Sequence, residues 1–134
     1  MNIQYGDSTH LAYLMEHDHH VAPDILRNKL ERGETLIASD AHGVIGWLRF
    51  GYFWDNTPFM NMLYIEKLHR GMGIGRELVT YWEQEMHEKG YTMVMTSTQS
   101  DEDAQHFYRK LGYKDAGSLL LPDEPLEIIL IKTL

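Results

Sequence analysis

Apolar and polar positions along this chain fall into short blocks that switch between a period of two and a period near 3.6. Ile3 and Tyr5, sharing a face, predict a strand over residues 2–5. Ser8 or Thr9 is placed to cap a helix reaching about His17, with Leu11, Leu14 and Met15 as its buried stripe. A second helix is expected from Pro23, which suits a first helical turn, to Glu31 or Arg32. Ile25, Leu26 and Leu30 form its apolar side, and Gly33 stops it. Residues 34–39 and 44–52 flank Asp40-Ala41-His42-Gly43 and read as a hairpin. A second turn at Asp55-Asn56-Thr57-Pro58 makes the apolar strand over 59–65 antiparallel to its predecessor.

Further on, Ile74, Leu78, Trp82 and Met86 recur every four residues, while Glu77, Glu83, Gln84, Glu85 and Glu88 are expected to face away. Gly90 stands where this helix should end, and residues 91–96 read as a buried strand. A strand, a helix and a strand at this spacing make a right-handed crossover, so the two strands are expected to be parallel. The acidic run Ser100-Asp101-Glu102-Asp103 has the character of a helix start, with Ala104, Phe107, Tyr108 and Leu111 following at helical spacing before Gly112. Two last strands, 117–121 and 126–132, should close as a hairpin around Pro122-Asp123-Glu124-Pro125.

The chemistry begins between the strand at 59–65 and the long helix, at Arg70-Gly71-Met72-Gly73-Ile74-Gly75-Arg76. Three glycines at alternate positions open φ values closed to other residues and let backbone N–H groups approach a ligand. The helix that follows adds unpaired N-terminal amides and the positive end of its dipole, which suits a phosphate. Arg70 and Arg76 add positive charge at either end. No lysine follows Gly75, so this is not a P-loop, and the third glycine comes one residue early for a dinucleotide fingerprint. An ordinary tight strand-to-helix turn is the plainer alternative. The pattern R-x-x-G-x-G, carried by Arg70, Gly73 and Gly75, resembles the acyl-coenzyme A motif of the GNAT superfamily of N-acetyltransferases. Beyond it, Asp101-x-x-Ala104-x-x-Phe107-Tyr108-x-x-x-Gly112-Tyr113 resembles the second half of that family's signature.

The resemblance implies an α/β (α+β) fold: a mixed, mostly antiparallel sheet with a central, splayed parallel strand pair, flanked by about four helices. All of residues 1–134 would form one such domain. The pantetheine arm of acetyl-coenzyme A would lie in the splay, on main-chain groups of Leu63, Tyr64 and Ile65. Splaying exposes backbone donors and acceptors that a closed ladder would occupy. The pyrophosphate would sit on Arg70, Gly71, Met72, Gly73, Ile74, Gly75 and Arg76, with Asp101 and Ala104 completing the coenzyme contacts. Asp101 stands where the family often has asparagine; a carboxylate can cap a helix but cannot donate.

Acetyl transfer to an amine needs an uncharged nucleophile, a donor for the developing oxyanion and a protonated leaving sulfur. A backbone N–H near Leu63 and Tyr64 is the expected oxyanion donor, and by resemblance Tyr108 is the acid. On a helix stripe with Phe107 and Leu111, Tyr108 also reads as a core residue. A primary amine is only about 0.04% neutral at pH 7, so a base is wanted. The strand over 59–65 carries no carboxylate, only Asn61, leaving Glu66, Glu16, His20 and Asp55 as candidates. Trp47, Tyr52 and Trp54, near one face and close to Asp55, could hold an ammonium by cation–π contact or could be core aromatics. Trp47, Tyr52, Trp54, Glu16 and His20 are therefore the candidate acceptor contacts.

Composition narrows the partners. At 134 residues, 43% hydrophobic and 24% charged, this reads as one soluble globular domain. There is no cysteine, hence no disulfide, thiol nucleophile or thiolate metal site, and a cytoplasmic setting is expected. No apolar run approaches the roughly 18 residues of a membrane span. A net charge of −8 argues against nucleic acid and suits a cationic acceptor, although acidity also serves solubility. His17-Asp18-His19-His20 invites a metal reading, but consecutive side chains in a loop do not converge on one ion, and a solvated helix end is favoured. The expected partner is a small-molecule or peptide amine, with no metal and no membrane; a homodimer through the last hairpin or a sheet edge stays open. The rival function is a catalytically inactive acyl-coenzyme A sensor or interaction module.

Overall fold

A computed structural model describes residues 1–134. Seven strands hydrogen-bond in the order β1-β2-β3-β4-β5-β7-β6. They are β1 (Asn2–Tyr5), β2 (Thr35–Asp40), β3 (Gly43–Phe53), β4 (Thr57–Ile65), β5 (Met93–Gln99), β6 (Lys114–Leu119) and β7 (Glu127–Thr133). Four α-helices intervene: α1 (Leu11–His17), α2 (Pro23–Glu31), α3 (Ile74–Glu88) and α4 (Ala104–Lys110). The result is a mixed, mostly antiparallel α/β sheet with one parallel pair, β4 and β5. No helix is long and apolar enough to cross a membrane. Packing divides the chain into two units, Met1–Phe50 with Met62–Trp82, and Gly51–Asn61 with Glu83–Leu134.

In the first unit β1, β2 and β3 pair antiparallel, with a register shift at Ala38/Ser39. Leu14, Leu26, Leu30, Ile37 and Trp47 make one core cluster, against which Met62 and Tyr64 pack. Burying five such side chains contributes about 1.5–3 kcal/mol each before chain entropy is charged against it. The first helix is capped by neither Ser8 nor Thr9: Asp7 takes the Thr9 amide, and a 3-10 turn over Ser8–His10 leads into α1. Met15 and Ile25 do not join the buried stripes but are exposed, because these short helices bury only a narrow face. Asp18 closes the end of α1 from inside, its buried carboxylate accepting from Arg49 Nε at 3.1 Å. That buried ion pair ties the α1–α2 connection to β3.

In the second unit β5 pairs antiparallel with β7 along its whole length, and β7 with β6. The closing hairpin is therefore present, although β6 begins at Lys114 rather than at Gly117, and β5 begins at Met93 rather than Tyr91. The parallel ladder between β4 and β5 is two pairs long, Phe59↔Met95 and Met60↔Thr96. Helix α4 ends in a Schellman closure: Gly112 N–H reaches Arg109 O at 3.1 Å and Tyr113 N–H reaches Tyr108 O at 3.1 Å. Gly112 sits at φ +96, a value that side-chain-bearing residues rarely adopt, which explains a glycine there. Glu83 does not face away with its acidic neighbours. It is buried, accepting from Tyr113 Oη at 2.7 Å and Lys132 Nζ at 2.9 Å.

Candidate active site

The glycine turn lies in the first unit, where β4 hands over to α3. Arg70 is not a loose charge. Its Nε donates to Ile65 O at 2.8 Å and its guanidinium lies 5.3 Å from the centroid of the Tyr64 ring, fixing the start of the turn. Gly71 and Gly73 take φ +79 and +82. A Cβ built at either position meets no atom within 4 Å, so packing does not require these glycines. The positive φ does, and it leaves open space above the amides. Gly75 has a different role from the one expected of it: it lies in the first turn of α3, where no unusual φ is needed.

Glu77 N–H closes the first helical hydrogen bond on Gly73 O at 3.0 Å, so the amides of residues 73–76 have no partner within the helix. Ile74 is buried and anchors the turn, whereas Met72 and Arg76 are exposed beside it. Open amides, the positive end of a 15-residue helix and two arginines form a cradle that fits an anionic diphosphate.

The same unit holds a group that no spacing argument had joined. Glu66, just past β4, accepts a hydrogen bond from the Tyr13 hydroxyl, and His17 Nε2 lies 4.0 Å from the same Oε1. Tyr13 and His17 stack one helical turn apart at 4.0 Å, and the Tyr13 carbonyl accepts from His17 Nδ1 at 2.9 Å. Burial, and then the Glu66 carboxylate, push the Tyr13 phenol well above its ordinary range. The i, i+4 spacing of Tyr13 and His17 was the signal that could have found the pair. Glu16 and His20 are exposed, and the histidine run disperses: Asp18 turns in to Arg49 while His19 and His20 stay at the surface.

Of the two readings open for the aromatics near Asp55, Trp47 takes that of a core residue. Trp47 is in the core with its Nε1 buried and unpartnered, stacked at 4.6 Å on Tyr64. Trp54 is exposed at φ +56 in the turn it shares with Asp55. β3 carries odd-numbered Trp47 and even-numbered Tyr52 to opposite faces, as a period of two requires.

Tyr108 belongs to the second unit and is 7% exposed. Its ring is wedged between Phe107 at 5.2 Å and Tyr113 at 5.6 Å, both edge-on. Burial pushes the phenol up to about 12, so it carries its proton at any ordinary pH. Its hydrogen-bonding neighbour is Thr96, whose hydroxyl donates its one proton to Met60 O at 3.0 Å. Thr96 thus connects the tyrosine to the last laddered pair of β4 and β5, a role that sequence reasoning did not assign. Asp101 does not cap α4: Asp103 occupies the cap position without a side-chain bond, and Gln105 Nε2 reaches Ser100 O and Glu102 O instead. Asp101 is exposed and Ala104 half-buried.

One residue beyond the Met60↔Thr96 pair, Asn61 and Ser97 line a cavity of about 300 Å³ whose remaining walls include Tyr52, Phe53 and Phe59.

The family model described as an acetyltransferase (GNAT) domain matches residues 31–115. No curated protein sequence matches the chain. Among solved structures, Ard1 from Thermoplasma volcanium is 13% identical with a TM-score of 0.85, covering 99% of this chain and 97% of that one. The ribosomal-protein-alanine N-acetyltransferase from Brucella melitensis is 18% identical, TM-score 0.82, over 100% of both chains. PaiA N-acetyltransferase from Thermoplasma acidophilum, in complex with coenzyme A, is 17% identical, TM-score 0.82, over 99% and 98%. At these identities the likeness is one of fold.

Proposed function

Since the chain belongs to the GNAT acetyltransferase family, we propose that it transfers an acetyl group from acetyl-coenzyme A to a primary amine of a small molecule or peptide. The observation that carries this reading is the cradle: positive-φ glycines with open space above them, feeding unpaired amides at the start of α3. That arrangement suits the diphosphate of coenzyme A, with Leu63, Tyr64 and Ile65 offering main-chain partners to the amides of its arm. Acetyl-coenzyme A, once bound, supplies an acyl group activated as a thioester.

The chain's own groups supply the rest. Tyr108 Oη, neutral because it is buried, carries a proton that it can direct as a hydrogen bond at the charge building on a departing sulfur. The rings of Phe107 and Tyr113 fix the Tyr108 ring that carries that hydroxyl, which matters because a misplaced donor loses most of its effect. A main-chain N–H near Leu63 and Tyr64 would serve as the hydrogen-bond donor to the developing oxyanion. Glu66, supported by Tyr13 and faced by His17, is the carboxylate best placed among the sequence candidates to take the amine's proton, directly or through water.

The reading is tested by incubating the purified protein with acetyl-coenzyme A and a panel of polyamines, amino acids, aminoglycosides and peptides, following free thiol. Thiol release that depends on one class of amine is expected. Binding of acetyl-coenzyme A without release for any acceptor would favour the sensor instead.

A further inference from the structure

The cavity beside Asn61 and Ser97 has a composition that selects among amines. None of its seven lining residues carries a charge. Three are aromatic, Tyr52, Phe53 and Phe59, and two more, Leu119 on β6 and Ile129 on β7, are aliphatic. Asn61 and Ser97 alone bring polar side chains without an aromatic ring. Its volume of about 300 Å³ suits one aromatic or branched aliphatic group, at the small end of ligand pockets.

Its place is as telling as its lining. Thr96, beside Tyr108, and Ser97, in the cavity wall, are consecutive on β5 and so point to opposite faces. The ladder between β4 and β5 stops at Met60↔Thr96, so the cavity opens where that ladder ends, on the face away from the proposed acid. A polycation bound there would have to leave a second ammonium against apolar walls with no carboxylate to pair it, which is strongly unfavourable. An apolar group would instead be drawn in. The net charge of −8 attracts any ammonium to the surface, but it does not line this cavity.

We infer that this cavity receives the apolar or aromatic group of the acceptor, so that the enzyme favours hydrophobic monoamines over polyamines and aminoglycosides. The inference rests on the proposed acetyl transfer for the identity of the ligand as acceptor, but the cavity's selectivity can be read without turnover. Two sources share the chemistry: a free arylalkylamine and a peptide N-terminus that begins with a large apolar residue.

The test has two arms on the full chain. In the first, phenethylamine, a tripeptide beginning with phenylalanine, and spermidine are titrated into protein without an acyl donor while the amide resonances of Asn61, Ser97, Leu119 and Ile129 are followed. The first two probes should shift these resonances and spermidine should not; the stronger of the two identifies the source. In the second, kcat/KM is compared across the three probes, with a difference of about tenfold or more expected in favour of the apolar pair. Leu119→Glu, at a half-exposed wall position that tolerates a charge, should narrow or reverse that ratio. Ser97→Phe, which fills the cavity, should lower kcat/KM for the apolar probes with little change for spermidine. Shifts that map elsewhere, equal or better use of spermidine, or a ratio indifferent to Leu119→Glu would overturn the inference while leaving acetyl transfer intact. Shifts at the cavity without acetylation of either apolar probe would overturn the cavity as an acceptor site, and whether transfer itself fails is read from the wider amine panel.

Discussion

The glycine turn and the surroundings of Tyr108 solve opposite problems. Around residues 70–76 the groups proposed to meet the ligand are main-chain amides on an exposed turn, where two positive-φ glycines leave side chains out of the way. Around Tyr108 the proposed proton donor is a side-chain hydroxyl on a ring that is 7% exposed and packed by Phe107 and Tyr113. A diphosphate can be recognised by any sequence that reaches the right φ values. A proton donor needs one side chain with one set of neighbours. The first region should therefore tolerate change at exposed side chains such as Met72 but not at its positive-φ glycines, Arg70 or buried Ile74, whereas the second should be intolerant throughout.

The largest effect is expected from Tyr113→Ala, which removes a buried ring and one of the two donors to buried Glu83; unfolding by denaturant should show a loss of about 3–5 kcal/mol. Tyr108→Phe keeps the ring and should be nearly neutral for stability, yet lower kcat about 100-fold with acetyl-coenzyme A affinity unchanged, as steady-state kinetics and calorimetry would show. A smaller effect separates the two states of that hydroxyl. Its pKa is raised from 10 to about 12, so the protonated form is favoured by folding. The associated stability, about 2–3 kcal/mol, is present in full below pH 10 and lost as pH rises through 12. Tyr13 and Tyr113, also shifted upward, lose stability in the same direction, so Tyr108→Phe should reduce the alkaline fall of unfolding free energy without abolishing it. Gly73→Val forces a branched residue into φ +82, and acetyl-coenzyme A should bind about tenfold more weakly, at a strain of roughly 1–3 kcal/mol. Met72→Ala, next to it and exposed, should change neither quantity measurably; a large loss there would break the contrast between the regions.

Much of the fold was legible because it is local. Helical stripes such as Leu78, Trp82 and Met86, the Pro23 start of α2, and glycine stops after α2, α3 and α4 are short-range signals, and the structure realises them. The parallel crossover followed from chain handedness. The positive-φ turn and helix start proposed as the cradle were legible for the same reason, since both lie within seven consecutive residues. What failed was long-range. Nothing near Glu83 in sequence says that Tyr113 and Lys132 will meet it, and an acidic helix face is ordinarily solvated. Trp47 could not be told from Tyr52 and Trp54 without knowing which face of β3 meets the core. The cavity likewise draws on β3, β4, β5, β6 and β7, whose register no single stretch encodes.

The account stands most directly on calorimetric titration of the wild-type chain with acetyl-coenzyme A alongside acetylpantetheine, which has the arm and thioester but no diphosphate. Saturable binding of the first, at least about tenfold tighter than the second and weakening as salt is raised, is the predicted result. Equal affinities, or no heat from either at low salt, would contradict a diphosphate cradle at residues 70–76.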